Sequence, residues 1–73
     1  MATPRFLTLA EVAETLAVSE RQAYALVRGG DLRAIQVGGR GQWRVEVAEL
    51  EAYIQRQYSA TEDYVRARPS EAD

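Results

Sequence analysis

The fold of this chain is decided by residues 8–22, TLAEVAETLAVSERQ. A hydroxyl residue followed three positions later by Glu or Gln is typical of a helix start, and this spacing occurs twice, at Thr8–Glu11 and at Ser19–Gln22. Only Ala17-Val18 separates the two predicted helices, so they must cross steeply with Val18 in the angle between them, as in a helix-turn-helix. The apolar residues of the first helix recur at i, i+3, i+4 and i+7 and predict one buried face: Leu9, Val12, Ala13 and Leu16.

The second predicted helix has one apolar and one cationic face, because each residue turns the chain by about 100°. The apolar face contains Ala23, Leu26 and Val27, with Gly30 below them, and Gly29-Gly30 ends the helix. The opposite face contains Arg21, Tyr24, Ala25 and Arg28. Arginines on an exposed helix face are most often only solvated. Within a helix-turn-helix the same face suits groove reading, since guanidinium groups bind guanine edges or phosphates and a small residue permits close approach.

Two short β-prone runs, Ala34–Val37 and Trp43–Val45, flank the glycine-rich segment 38–42. They predict a hairpin of the kind called a wing. A phosphate-cradling nucleotide loop is a poor alternative, because the Lys-Ser/Thr pair and the GxGxxG spacing are missing. Alternation in the second strand predicts that Trp43 and Val45 pack inward and that Arg44 points outward. Arg40 is predicted at the loop tip, where a cation would bind phosphate.

A third helix is predicted from Glu46 or Val47 to about Tyr58, with Leu32 before the hairpin as a further core residue. Its inward face is predicted to contain Val47, Leu50 and Ile54. The carboxylates near its start suit a positive helix N-terminus, and no nucleophile or metal ligand accompanies them as acid-base chemistry would require. After Tyr58 two alternatives stay open. Either this helix continues past Ser59, or a short fourth helix folds back and ends before Pro69, with a loose end beyond.

Composition narrows the function. A length of 73 residues fits one domain, and the absence of Cys and His excludes disulfides, zinc fingers and most transition-metal sites. No stretch has the roughly 20 apolar residues that cross a bilayer, so we expect a cytoplasmic, nucleoid-associated protein that contacts no membrane. The formal charge is −2. That total hides a basic segment, 21–44, with five arginines and one acid, followed by residues 46–73 with seven acids and three arginines. We expect folding to gather the five arginines on one side.

The ordered set of motifs resembles the excisionase/MerR-like winged helix-turn-helix family. Phe6–Ala13 followed by Leu16–Ser19 is similar to that family's opening LT-x-x-E-V-A…L-x-V-S. The later matches are Gly30-Asp31-Leu32, Val37-Gly38, Trp43-Arg44 and Leu50-Glu51-Ala52-Tyr53. Two positions depart from the pattern: Ala17 stands where the family often has glycine, and Arg33 where proline is common. The resemblance is to the short stand-alone members, because the long dimerising helix and effector domain of full-length MerR regulators do not fit in this length.

The resemblance implies a mainly α fold with a small β-hairpin, ordered helix, helix, hairpin, helix. The DNA-binding domain is expected at residues 6–58, between an N-terminal arm, 1–5, and a C-terminal tail, 59–73. It also implies a helix in the major groove and a wing on the flanking backbone or minor groove, with no catalytic residue, cofactor or metal. The DNA contacts it assigns are Ser19, Arg21, Gln22, Tyr24, Arg28, Arg40, Gln42 and Arg44.

Double-stranded DNA is therefore the expected partner. A lone domain has a small footprint, so tight occupancy would require a homodimer or cooperative head-to-tail assembly. The tail is either a solvated extension or a contact for a second subunit, an integrase or another protein. Three functions remain open at this point: a transcription regulator, an excisionase that bends DNA for an integrase, and a protein-interaction module that has lost DNA binding. The acidic total is the best support for the third function.

Overall fold

The computed structural model describes residues 5–67 of the chain. Three helices and a small antiparallel sheet form a winged helix-turn-helix, which confirms the predicted fold class. In chain order the elements are β1 (Phe6–Leu7), α1 (Leu9–Leu16), α2 (Glu20–Arg28), β2 (Ile35–Val37), β3 (Gln42–Glu46) and α3 (Val47–Ala67).

Both predicted helix starts are capping boxes. At α1, the Thr8 hydroxyl accepts from the Glu11 amide at 3.1 Å, and the Glu11 carboxylate accepts from the Thr8 amide at 2.9 Å. At α2, the Ser19 hydroxyl accepts from the Gln22 amide at 3.1 Å, and the Gln22 side-chain oxygen accepts from the Ser19 amide at 3.0 Å. Amides that a helix start leaves without partners are thus satisfied by local side chains, so both starts are fixed by the sequence itself.

The joint between α1 and α2 turns at Ala17, whose backbone is left-handed with φ 59°. The Val18 amide donates to the Ala13 carbonyl at 2.9 Å, and the Ala17 amide donates to the Glu14 carbonyl at 3.2 Å. This Schellman arrangement reverses the chain sharply enough for α2 to begin within a few residues. Glycine adopts the left-handed conformation without the penalty that a Cβ brings, which explains why a glycine is common at this position in the family that the sequence resembles.

The core lies where α1, α2, the sheet and the first half of α3 meet, and it confirms the predicted apolar faces of α1 and α2. On α3 it confirms Leu50 and Ile54, whereas Val47 is half-buried outside the core. Leu32 is 1% exposed and is the largest fully buried side chain, which confirms its predicted role as a core residue. Ala23 is fully buried, and its small side chain lets α1 and α2 approach closely. Val18 is half-buried against this core, in the predicted angle. The buried set is Val12, Ala13, Ala23, Val27, Leu32, Val45 and Leu50.

The sheet has three strands in the order β1-β3-β2, one more than the predicted hairpin. β1 pairs antiparallel with β3 through Phe6↔Glu46 and Leu7↔Val45. A strand of two residues is too short to show alternation, so its existence depends on pairing with a partner distant in the sequence. As predicted, β3 turns Val45 into the core and packs the half-buried Trp43 against it.

The helix α3 is one continuous helix to Ala67, which confirms the alternative that the third helix continues past Ser59. The predicted end near Tyr58 and the separate fourth helix are both wrong. No Gly or Pro interrupts residues 47–67, and the capping-box spacing at Ser59–Glu62 lies inside the helix without starting a new one. The predicted stop before Pro69 and the loose end beyond it lie outside the described residues, as does most of the predicted N-terminal arm.

Candidate nucleic-acid interface

The outer face of α2 is the first part of the candidate interface. Ala23 and Val27 are buried, and Leu26 is half-buried against the core, so the side chains on the opposite face must point outward. Tyr24 is 44% exposed. Also exposed are Arg21, Ala25 and Arg28. The sequence therefore predicted the exposed face of this helix correctly.

The end of α2 is fixed by a second Schellman turn. Gly30 has φ 85° and donates its amide to the Val27 carbonyl at 3.2 Å, while the Asp31 amide donates to the Leu26 carbonyl at 3.0 Å. Gly29 keeps a right-handed backbone, so only Gly30 of the predicted pair needs a positive φ. The turn directs the chain to the buried Leu32 and so holds Arg28 on a rigid helix end.

The wing is a hairpin whose loop depends on its glycines. Gly38 and Gly41 have φ values of 77° and 64°, and the Gly41 amide donates to the Gly38 carbonyl at 3.2 Å. The Gln36 side-chain amide also donates to the Gly41 carbonyl, at 3.0 Å. A Cβ at Gly41 would lie 3.1 Å from that Gln36 amide nitrogen, so the loop is closed tightly on itself. Arg40 is exposed within this loop, as predicted.

Four of the eight predicted contact residues bond within the protein. Ser19 and Gln22 form the capping box of α2, in which the Gln22 amide oxygen accepts from the Ser19 amide. On β3, the half-buried Arg44 donates to the Trp43 carbonyl at 2.8 Å and to the Gln42 side-chain oxygen at 3.3 Å. The Arg44 side chain, predicted to point outward, is half-buried, and its guanidinium group lies along its own strand.

The arginines of residues 5–67 fall into two groups. Three form ion pairs: Arg5 with Glu46 at 2.8 Å, Arg33 with Glu49 at 3.3 Å, and Arg66 with Asp63 at 2.9 Å. Arg56 donates to the Asp31 carbonyl at 3.0 Å, and Arg44 bonds on β3 as described. Within the part of the chain that the structure describes, the arginines with no hydrogen bond or ion pair are Arg21, Arg28 and Arg40.

The five arginines expected to gather on one side are thus reduced to three that are free of bonds within residues 5–67. Arg33 is paired with Glu49 of α3, and Arg44 is bonded on its own strand. The free cations are thus the two on α2 and the one on the wing. A concave surface of about 360 Å³ joins the helices to the wing, and it is lined by Thr8, Leu9, Ala10, Glu20, Gln42, Trp43 and Arg44. The start of α2 and the wing strand therefore border one depression.

Residues 5–67 show no sign of a membrane span or a metal site. No helix in residues 5–67 is both long and apolar enough to cross a membrane. Over the same residues, no group of Asp and Glu side chains is arranged to hold a metal ion.

Comparison with known proteins places the chain in a family. The family model described as a helix-turn-helix domain matches residues 6–58, which contain α1, α2, the hairpin and the first half of α3. No curated protein and no solved structure matches the chain. The family match covers most of the chain, confirms the resemblance seen in the sequence, and supports DNA binding. The chain therefore belongs to the helix-turn-helix family of small, excisionase-like DNA-binding proteins.

Proposed function

We propose that this protein binds specific double-stranded DNA sequences as a small transcription regulator, with α2 in the major groove and the β2–β3 hairpin on the flanking backbone or minor groove. The observation that carries this proposal is the distribution of free arginines. They lie on the helix that follows the turn and on the wing, while the other arginines of residues 5–67 are bonded within the protein.

The proposed role of α2 rests on its exposed face. A major groove about 12 Å wide admits one helix, and a guanidinium group can bind the O6 and N7 atoms of guanine in two parallel bonds. We assign base or phosphate contacts to Arg21, Gln22 and Tyr24, and a phosphate contact to Arg28. Ser19 would lie against the backbone at the helix start, where amides and the helix dipole favour an anion. Ala25 provides the low surface that lets the helix lie deep.

The proposed role of the wing rests on Arg40. Its glycine-rich loop carries few side chains, so the peptide backbone can approach the sugar-phosphate wall while the guanidinium group binds phosphate. We also assign wing contacts to Gln42 and Arg44. Because Arg44 bonds to the Trp43 carbonyl, it must exchange that bond for a phosphate, so we expect its contribution to be smaller than that of Arg40.

The experiment is a selection of genomic DNA fragments by the purified protein at low ionic strength, followed by sequencing of the bound pool. We expect an enriched motif, and methylation of guanine N7 within it should interfere with binding if α2 reads the major groove. A shuffled duplex of the same composition is the control. Failure to form any complex with genomic fragments at low ionic strength would contradict DNA binding, and equal affinity for the shuffled duplex would contradict sequence specificity.

The same interface would serve an excisionase, which differs in what it does to the DNA. An architectural factor bends its site for an integrase, whereas a simple regulator need not. The recovered motif placed at different positions along fragments of equal length would show a bend as position-dependent gel mobility. A large bend would favour the excisionase alternative, and constant mobility would favour the regulator.

A further inference from the structure

The second half of α3 extends beyond the core with no element of residues 5–67 covering it. Every residue from Gln55 to Ala67 is exposed, and the molecule is 51 Å long but only 18 Å in its shortest dimension. Two exposed apolar side chains here are large: Tyr58 is 62% and Val65 50% exposed. A helical segment this short is marginal in water without packing, so an uncovered apolar face on it indicates a partner.

An apolar groove of about 260 Å³ lies at the base of this extension, where α1 ends against α3. Leu16 forms one wall and α3 forms the other. The residues that line the groove are Leu16, Tyr53, Ile54, Gln57, Tyr58 and Thr61. The groove is thus continuous with the exposed face of the extension, since Tyr58 and Thr61 belong to both.

The groove and the extension form one uncharged stripe along α3. Its residues are spaced four, three and four apart, the spacing that keeps side chains on one side of a helix: Ile54, Tyr58, Thr61 and Val65. The charges of the extension lie off this line: Arg56, Glu62, Asp63 and Arg66. The stripe starts one turn after the buried Leu50, so it extends the core-facing side of α3 into solvent.

We propose that the α3 stripe binds a second copy of this chain, with the two helices antiparallel and related by a two-fold axis near Thr61. Val65 lies four residues after Thr61, and Gln57 lies four before it. In an antiparallel pair about this point, Val65 of each copy therefore meets Gln57 of the other, at the edge of the apolar groove. The small Thr61 at the centre lets the two helix backbones approach.

A second copy fits because the surface is complementary to itself. Each chain carries both the edge of the groove, at Gln57, and the projecting Val65 that meets it, at equal distances from Thr61, as a two-fold interface requires. The stripe carries no charge, so two copies meet without burying one. It offers far fewer side chains than the 20–30 residues per partner of a standard interface. We therefore expect a weak, micromolar dimer.

Sedimentation of the protein without DNA tests the dimer, so the result does not depend on the proposed function. The apparent mass should rise with concentration from 8.2 kDa toward twice that value. Val65→Lys places a charge within the stripe of each copy and should raise the dimer dissociation constant at least about tenfold. Ser59→Lys is the matched control, because it adds the same side chain to the same exposed segment away from the stripe, and it should leave that constant unchanged.

Cross-linking tests the axis, since the chain has no cysteine. Thr61→Cys should form a disulfide between copies on oxidation, and Val65→Cys should not, because an antiparallel pair separates its two copies by about 12 Å along the helix. Equal cross-linking of both variants would overturn the antiparallel arrangement. A monomer at all concentrations, or a Val65→Lys variant that dimerises as well as the unsubstituted chain, would overturn the proposal and assign the stripe to a different protein.

Discussion

The surface of α2 and the wing differs from the free end of α3 in what it leaves exposed. The first leaves three guanidinium groups without partners, Arg21, Arg28 and Arg40. The second leaves an uncharged apolar stripe, and its two described arginines are bonded, Arg56 to the Asp31 carbonyl and Arg66 to Asp63. A polyanion is attracted to the first kind of surface and an apolar face to the second. One small domain therefore presents two separate surfaces for two kinds of partner.

The comparison also explains how an acidic chain can bind DNA. Three of the described acids after residue 45 form ion pairs with arginines, Glu46 with Arg5, Glu49 with Arg33 and Asp63 with Arg66. The formal charge of −2 is the sum over the whole chain, so it hides the unpaired cations on α2 and the wing. Added salt should weaken DNA binding at α2 and the wing, because it screens phosphate contacts. It should leave apolar packing at the free end of α3 largely unchanged.

The largest expected effect comes from weakening the core that supports both surfaces. Leu32→Ala should lower the free energy of unfolding by about 2–5 kcal/mol, because it leaves a cavity where a fully buried side chain was. Val65→Ala on the free end should cost less than about 0.5 kcal/mol in the monomer. Urea unfolding at low protein concentration measures both, and equal losses would contradict the division between core and extension.

The next effect concerns the free arginines. Arg21→Ala and Arg40→Ala should each weaken binding to the selected duplex by about 1–3 kcal/mol and lower the slope of log K against log salt by about one. Arg66→Ala removes the same charge from the other end and should leave both unchanged. Fluorescence anisotropy across a salt series provides the measurement. Equal losses in all three variants would mean that only total charge matters, and unchanged affinity in the first two would favour a protein-interaction module.

A smaller effect is expected at the joint. Ala17→Gly should raise the free energy of unfolding by up to about 1 kcal/mol, since it removes the left-handed strain of a residue with a Cβ and keeps the turn. Thermal unfolding measures the change, and DNA affinity should stay constant because α2 keeps its orientation. A destabilised variant would show that the extra flexibility of glycine in the unfolded chain costs more than the left-handed strain of Ala17.

The smallest effect tests the paired arginines. Arg33→Gln breaks an ion pair whose arginine side chain is 81% exposed, so stability should fall by less than about 0.5 kcal/mol. DNA affinity should change far less than in Arg21→Ala, because Arg33 is already neutralised by Glu49. Anisotropy and urea unfolding of the same sample provide both values. A loss of affinity equal to that of Arg21→Ala would show that pairing does not remove an arginine from the interface.

Much of this molecule was predictable because its signals are local. The caps at Thr8 and Ser19, the faces of α1 and α2, and the hairpin around Arg40 each depend on residues a few positions apart, and each was predicted. The continuation of α3 past Ser59 was one of two alternatives that the sequence left open, since Ser59 offers a helix start and only the unbroken run of helix-compatible residues decides against using it. The two-residue strand β1 was not predicted, because it forms only by pairing with β3, far along the chain.

The sequence alone determined the order of elements, the two helix starts, the apolar faces and which arginines lie on the outer face of α2, since period and capping are set within one or two turns of helix. The tertiary structure decided which arginines are free, because pairing brings together Arg33 and Glu49, or Arg5 and Glu46, from different elements. It also decided that the apolar face of α3 extends beyond the core, because α3 is longer than the elements that pack against it. Local periodicity places side chains on a face, and only packing decides what that face meets.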